Sequence, residues 1–73
     1  MTTILVNATK WDIRKDLVNY TELVEMANNY SHQDHRLYTI QYSHKQAKGT
    51  VTPGQHVKIY NGMVFDVVIT GAA

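Results

Sequence analysis

Residues 57–70 read VKIYNGMVFDVVIT. Two apolar, β-branched runs flank Asn61-Gly62, a dipeptide suited to a tight turn because both residues tolerate positive φ. Beyond it Met63, Phe65, Val67 and Ile69 fall on one parity and Val64, Asp66 and Val68 on the other, the period of a strand with one face turned to a core. The stretch therefore predicts a hairpin, with a short strand from His56 to Tyr60 and a last strand from Met63 to Thr70. In this phase Val57 and Ile59 are not expected both to face the core.

Working backwards, Thr52-Pro53-Gly54-Gln55 predicts a type II turn, in which Pro pre-sets one dihedral and Gly supplies the positive φ. Thr50 and Val51 lead into it, and Gln46 to Gly49 are expected to turn the chain before them. Tyr38, Ile40 and Tyr42 alternate with Thr39 and Gln41 in another strand, with the face of Tyr38, Ile40 and Tyr42 inward. The polar stretch from Ser31 to Arg36 reads as a loop. Asn19 followed by Glu22 is the N-cap and N3 pair of a capping box, so a helix is predicted from Tyr20 to about Asn28. Tyr20, Leu23, Val24 and Ala27 form its apolar stripe. Asn28 and Asn29 suit its end, since asparagine tolerates the left-handed conformation. At the N-terminus, Ile4-Leu5-Val6 and the alternating run from Lys10 to Leu17 predict a hairpin turned at Asn7 to Thr9, although no Asn-Gly or Asp-Gly pair sets its turn type.

The predicted order is ββαβββ, with one helix to cover one face of a mixed sheet. The first and last strands cannot be hairpin neighbours, and the economical closure lays them side by side and parallel at the centre. This is the β-grasp, an α+β roll, and we expect residues 1–73 to form it as a single domain without repeats or linker.

Composition bounds the function. A chain of 73 residues has room for one core and no second lobe to enclose a cleft. Seven Lys and Arg against six Asp and Glu leave +1, which provides no strong field for nucleic acid or anionic lipid. Cysteine is absent, so neither a thiolate metal site nor a thiol nucleophile is possible. Apolar runs are too short to cross a bilayer, and Met1 to Val6 lacks the form of a signal peptide, so a cytoplasmic protein is expected.

The segments LYTIQY (37–42), GTVTPGQHVK (49–58) and GMVFDV (62–67), with Ile4-Leu5-Val6-Asn7 and the helix from Tyr20 to Ala27, resemble the bacterial multiubiquitin domain family over nearly the whole chain. The resemblance implies a ubiquitin-like protein modifier that is not itself an enzyme. Its implied partners are E1-like activating and E2-like conjugating enzymes, a JAB-type metalloprotease and target proteins. It would bind no cofactor, with ATP used by the activating enzyme. The conjugation tail would be Gly71, Ala72 and Ala73, small enough to enter a narrow enzyme channel, where the bland reading is a frayed terminus.

Other constellations are weaker. His32-Gln33-Asp34-His35 brings two imidazoles and a carboxylate into one loop, but without a nearby fourth ligand a solvated polar loop is the better reading than a metal site. His44 and His56 are expected at exposed strand positions. Trp11, Tyr38, Tyr42 and Phe65 could stack on bases, but their phase assigns them to the core. No Ser, His and Asp spacing or phosphate loop suggests catalysis. On the opposite face Leu5, Val64 and Val68 would come together if the first and last strands pair. They are the candidate partner-binding surface, and the alternative to the modifier is a non-covalent interaction or self-association module that uses it.

Overall fold

The computed structural model describes residues 1–28 and 36–72, which carry seven strands and one helix. They are β1 (Thr2–Val6), β2 (Thr9–Ile13), β3 (Leu17–Asn19), α1 (Tyr20–Ala27), β4 (Arg36–His44), β5 (Ala47–Val51), β6 (His56–Lys58) and β7 (Met63–Ala72). Five strands form one mixed sheet in the order β2-β1-β7-β4-β5, and β3 pairs with β6 in a second, two-stranded sheet. β1 and β7 lie parallel at the centre, with Ile4 opposite Met63 and Val6 opposite Phe65. The predicted β-grasp is therefore the observed fold.

The alternation in the sequence sorts the two faces. Ile4, Val6, Ile40, Met63, Phe65 and Val67 point to one side and are buried there with Leu23 and Met26 of α1 and Val18 of β3. Each such side chain contributes about 1.5–3 kcal/mol by leaving water. The helix starts where its cap requires. The Glu22 N–H donates to Asn19 Oδ1 at 2.8 Å, and the Asn19 N–H donates to Glu22 Oε1 at 3.0 Å, so the capping box is complete. Met26, absent from the predicted stripe, is buried, whereas Tyr20, Val24 and Ala27 are only partly so.

Two side chains complete ladders that backbone leaves unfinished. β1 turns away through Asn7 and Ala8, whose φ values of 49° and 68° make a two-residue turn of the I′ kind. Asn7 then stands in for the next strand residue. Its N–H donates to Phe65 O at 2.9 Å, its Oδ1 accepts from the Val67 N–H at 2.8 Å, and its Nδ2 donates to Val67 O at 3.1 Å. On the other side, β5 pairs with β4 only from Ile40 onward. There the Tyr20 hydroxyl accepts from the Tyr38 N–H at 3.1 Å and lies 3.4 Å from Tyr38 O, to which it donates. The helix is thereby bonded to the sheet at its first residue.

Several predicted boundaries move, each for a physical reason. The run from Lys10 to Leu17 is not one strand, because the polar Arg14-Lys15-Asp16 bend breaks it. Asp16 O accepts from the Ile59 N–H at 2.8 Å, and Leu17–Asn19 pairs with β6 as β3. The Asn61-Gly62 turn forms, with the Met63 N–H donating to Tyr60 O at 3.0 Å and φ of 85° at Gly62, but it joins no hairpin. It docks on β1 instead. The Thr3 N–H donates to Asn61 Oδ1 and the Gly62 N–H donates to Thr3 O, both at 2.8 Å, which sets the parallel register of β1 and β7.

The turn predicted at Gln46 to Gly49 occurs at Lys45 and Gln46, with φ of 56° at Lys45. Gly49 belongs to β5, where a Cβ would lie 2.5 Å from the Tyr42 hydroxyl oxygen, so the ring of its cross-strand partner needs the glycine. The Thr52 to Gln55 turn is as expected, with φ of 87° at Gly54 and the Gln55 N–H bonded to Thr52 O. Asn28 ends the helix at φ of −100°, not left-handed, and its Nδ2 donates to Val24 O at 2.9 Å. Ile59 is buried and Val57 packs partly against the core, so both face inward, as residues two apart in an extended segment do, with β6 paired to β3 and not to β7. The predicted loop at 31–36 falls almost wholly on residues outside those described.

Candidate functional site

Three features could meet a partner: the end of β7, the outer sheet face, and the polar clusters around the histidines. The end of β7 is held more firmly than the sequence suggests. The strand runs past Thr70 to Ala72, with Gly71 opposite Leu37 and Ala72 opposite Arg36. A register irregularity interrupts the ladder between these two pairs and Tyr38 opposite Ile69. At the break the Thr70 hydroxyl donates to Leu37 O at 3.5 Å. Of the three tail residues, Gly71 and Ala72 are thus strand residues in backbone, and Ala73 lies outside the described residues.

The outer face carries the candidate surface only in part. Leu5 and Val64 stand opposite each other across the parallel pair and are each half-buried. Val68 is 56% exposed and lies beside Thr39. Four steps along the strand separate Val64 from Val68, about 13 Å at 3.3 Å per residue. The exposed Asp66 projects between them on the same parity. The structure brings Leu5 and Val64 together and leaves Val68 apart.

Further exposed apolar side chains lie near the end of β7, where Leu37 and Ile69 are each about half exposed, Ile69 on the face opposite to that of Val68. Ile69 shares the inward phase of Phe65 and Val67 yet is not in the core, contrary to the sequence reading. The cause is length. Eight helical residues span about 12 Å at 1.5 Å each, whereas the ten of β7 span about 33 Å, so α1 cannot cover both ends of the strand. Comparing the two element lengths in the sequence would have exposed this.

The polar clusters are mainly structural. Lys15, Asp16, Asn19, Glu22 and His56 line a surface hollow at the start of α1. Burial pushes the Glu22 carboxyl up, but the bonded Lys15 ammonium and the Asn19 amide outweigh it and hold the group below its ordinary value. His56 is exposed, as expected. His44 is half-buried, its ring stacked on Tyr60 with centroids 5.2 Å apart, and Lys58 Nζ lies 5.6 Å from the Tyr60 centroid. Among the described residues no group of three or more His, Asp or Glu is placed to hold a metal ion. His32, Asp34 and His35 lie outside them. No helix among the described residues is long and apolar enough to cross a membrane.

A protein-family model described as Multiubiquitin matches residues 2–71, from the first residue of β1 to the penultimate residue of β7. No curated protein and no solved structure matches the chain.

Proposed function

Because the chain belongs to the multiubiquitin family, we propose that it is a bacterial, cytoplasmic ubiquitin-like modifier joined to targets through the carboxylate at the end of the β7 segment. Membership of the family over 2–71, on a ubiquitin-like fold of a kind that is typically non-catalytic, is the observation that carries this reading. The chemistry belongs to the partners. A carboxylate oxygen at Ala73, or at Gly71 after trimming, attacks the α-phosphorus of ATP on an E1-like enzyme and pyrophosphate leaves. An enzyme thiol then displaces AMP from the acyl-adenylate, and after transfer to an E2-like enzyme a target amine displaces the thiol to form an amide. A JAB-type metalloprotease would hydrolyse that amide or mature the tail. Gly71, Ala72 and Ala73 suit the role because small residues pass a narrow channel, which holds the carboxylate near the reacting phosphorus.

The test is co-expression with an E1-like activating and an E2-like conjugating enzyme, followed by intact-mass spectrometry. A product lighter by one water than the summed partners supports the modifier. Absence of any adduct, with no cellular effect of blocking the terminus, refutes it. The contact of Leu5 with Val64 and the exposure of Val68 favour a second reading, a non-covalent interaction or self-association module. In that case Leu5→Asp or Val68→Asp abolishes assembly, and deletion of Ala72 and Ala73 does not.

A further inference from the structure

β7 loses its neighbours one at a time. β1 accompanies it through Phe65, the Asn7 carboxamide bonds Val67, and beyond Val67 the only strand paired with it among the described residues is β4. Past the irregularity, two pairs remain, Leu37 with Gly71 and Arg36 with Ala72, formed by the last residues of one strand and the first of the other. Little apolar burial reinforces them, since Leu37 and Ile69 are each about half exposed. On the core side of the irregularity Tyr38 is anchored, because its N–H and C=O are both bonded to the Tyr20 hydroxyl of the helix.

From this contrast we propose that the end of β7 is a clip. The ladder opens from Ala72 back to the irregularity at Thr70 and stops there, at the Tyr38 anchor, and only the opened segment can be drawn into another protein. A backbone paired along one edge with β4 cannot be surrounded by an enzyme channel, so opening precedes use of the terminus. The role in conjugation rests on the modifier reading above, but the clip itself does not.

Hydrogen exchange by NMR on the unmodified protein tests the clip first. We expect the Gly71 amide to be slowed by about 5- to 100-fold, the effect of one or two net hydrogen bonds, and the Val68 amide by far more. Exchange of Gly71 at the rate of an unstructured peptide overturns the proposal, as does equal protection of Gly71 and Val68, which would mean that no stop exists at Thr70. Alternation directs the Leu37 N–H to β7, since Tyr38 donates to the other side. Leu37→Pro removes this donor and so weakens the two end pairs, and protection should fall at Gly71 while it is preserved at Val68. Loss at both positions, or at neither, counts against the clip.

The absence of native cysteine makes a lock clean. Leu37→Cys with Gly71→Cys, oxidised, should form adducts with the activating enzyme at least ~10-fold more slowly than the same variant reduced, the loss of one net-bond opening or more. Equal rates in both redox states overturn the gating. Adduct formation by neither the double variant nor the unmodified protein refutes the modifier reading and leaves the exchange result to judge the clip.

Discussion

Replacing Asn7 with glycine removes the carboxamide that finishes the β1 to β7 ladder while keeping a residue at ease at φ of 49°. Two hydrogen bonds are lost, at 2.8 and 3.1 Å, and both sit in a partly buried position. At about 0.5–1.5 kcal/mol net for each bond, the loss is about 1–3 kcal/mol, and the orphaned Val67 N–H and C=O move it toward the upper value. A domain of this size holds roughly 4–11 kcal/mol in all, so this is a large fraction. At about 4–8 °C per kcal/mol, the midpoint falls by roughly 5–20 °C. Ala8→Gly is the control. Ala8 is also left-handed, at φ of 68°, and that substitution should be neutral or stabilising, because relief of about 1–2 kcal/mol of backbone cost offsets about 0.5–1 kcal/mol of chain entropy. Urea unfolding, followed by circular dichroism at matched m-values, measures both. If Asn7→Gly is no more than about 0.5 kcal/mol worse than Ala8→Gly, the carboxamide contributes nothing net and the reasoning fails.

Gly49→Ala places a methyl group within 2.5 Å of the Tyr42 oxygen and should cost about 1–3 kcal/mol by forcing the ring aside. Chemical shifts of Phe65, whose ring lies 6.2 Å from that of Tyr42, should move with it. Tyr20→Phe keeps the ring and removes the hydroxyl bonded to Tyr38, with an expected loss of about 1–2 kcal/mol and faster hydrogen exchange at the Tyr38 amide. The Glu22 carboxyl is held below its ordinary 4.5 in the folded chain, so its contribution is complete above that value and is lost as pH falls through the lowered one. Glu22→Gln should therefore flatten that part of the acid limb of stability, measured by urea unfolding at a series of pH values.

Local signals carried most of the fold. The Asn19 and Glu22 box is read within four residues, and strand phase places Ile4, Ile40, Met63 and Phe65 inward without knowledge of their partners. What failed was non-local. β3 and β6 are three residues each, too short for periodicity to show, and their pairing rests on contacts from Val18 to Val57 across the chain. The Asn61-Gly62 turn was legible but its partner was not, because Thr3 holds it. At the candidate surface the sequence already placed Asp66 between Val64 and Val68. The exposure of Ile69 follows from the lengths of α1 and β7, not from any residue in them, whereas Leu37 is exposed because its parity in β4 is opposite to that of Tyr38 and Ile40. Nothing local announces that β7 stays paired to Ala72, since glycine and alanine favour strands weakly.

The parallel alignment of β1 and β7 has a geometric consequence for chains that repeat this domain. The polypeptide comes in at one pole of the sheet and goes out at the opposite pole. Successive copies could then be threaded like beads, with no connector doubling back across a sheet face. Such a string would lengthen by roughly a strand's span, about 33 Å, for each copy. Every copy but the last would have the end of its β7 drawn toward the next.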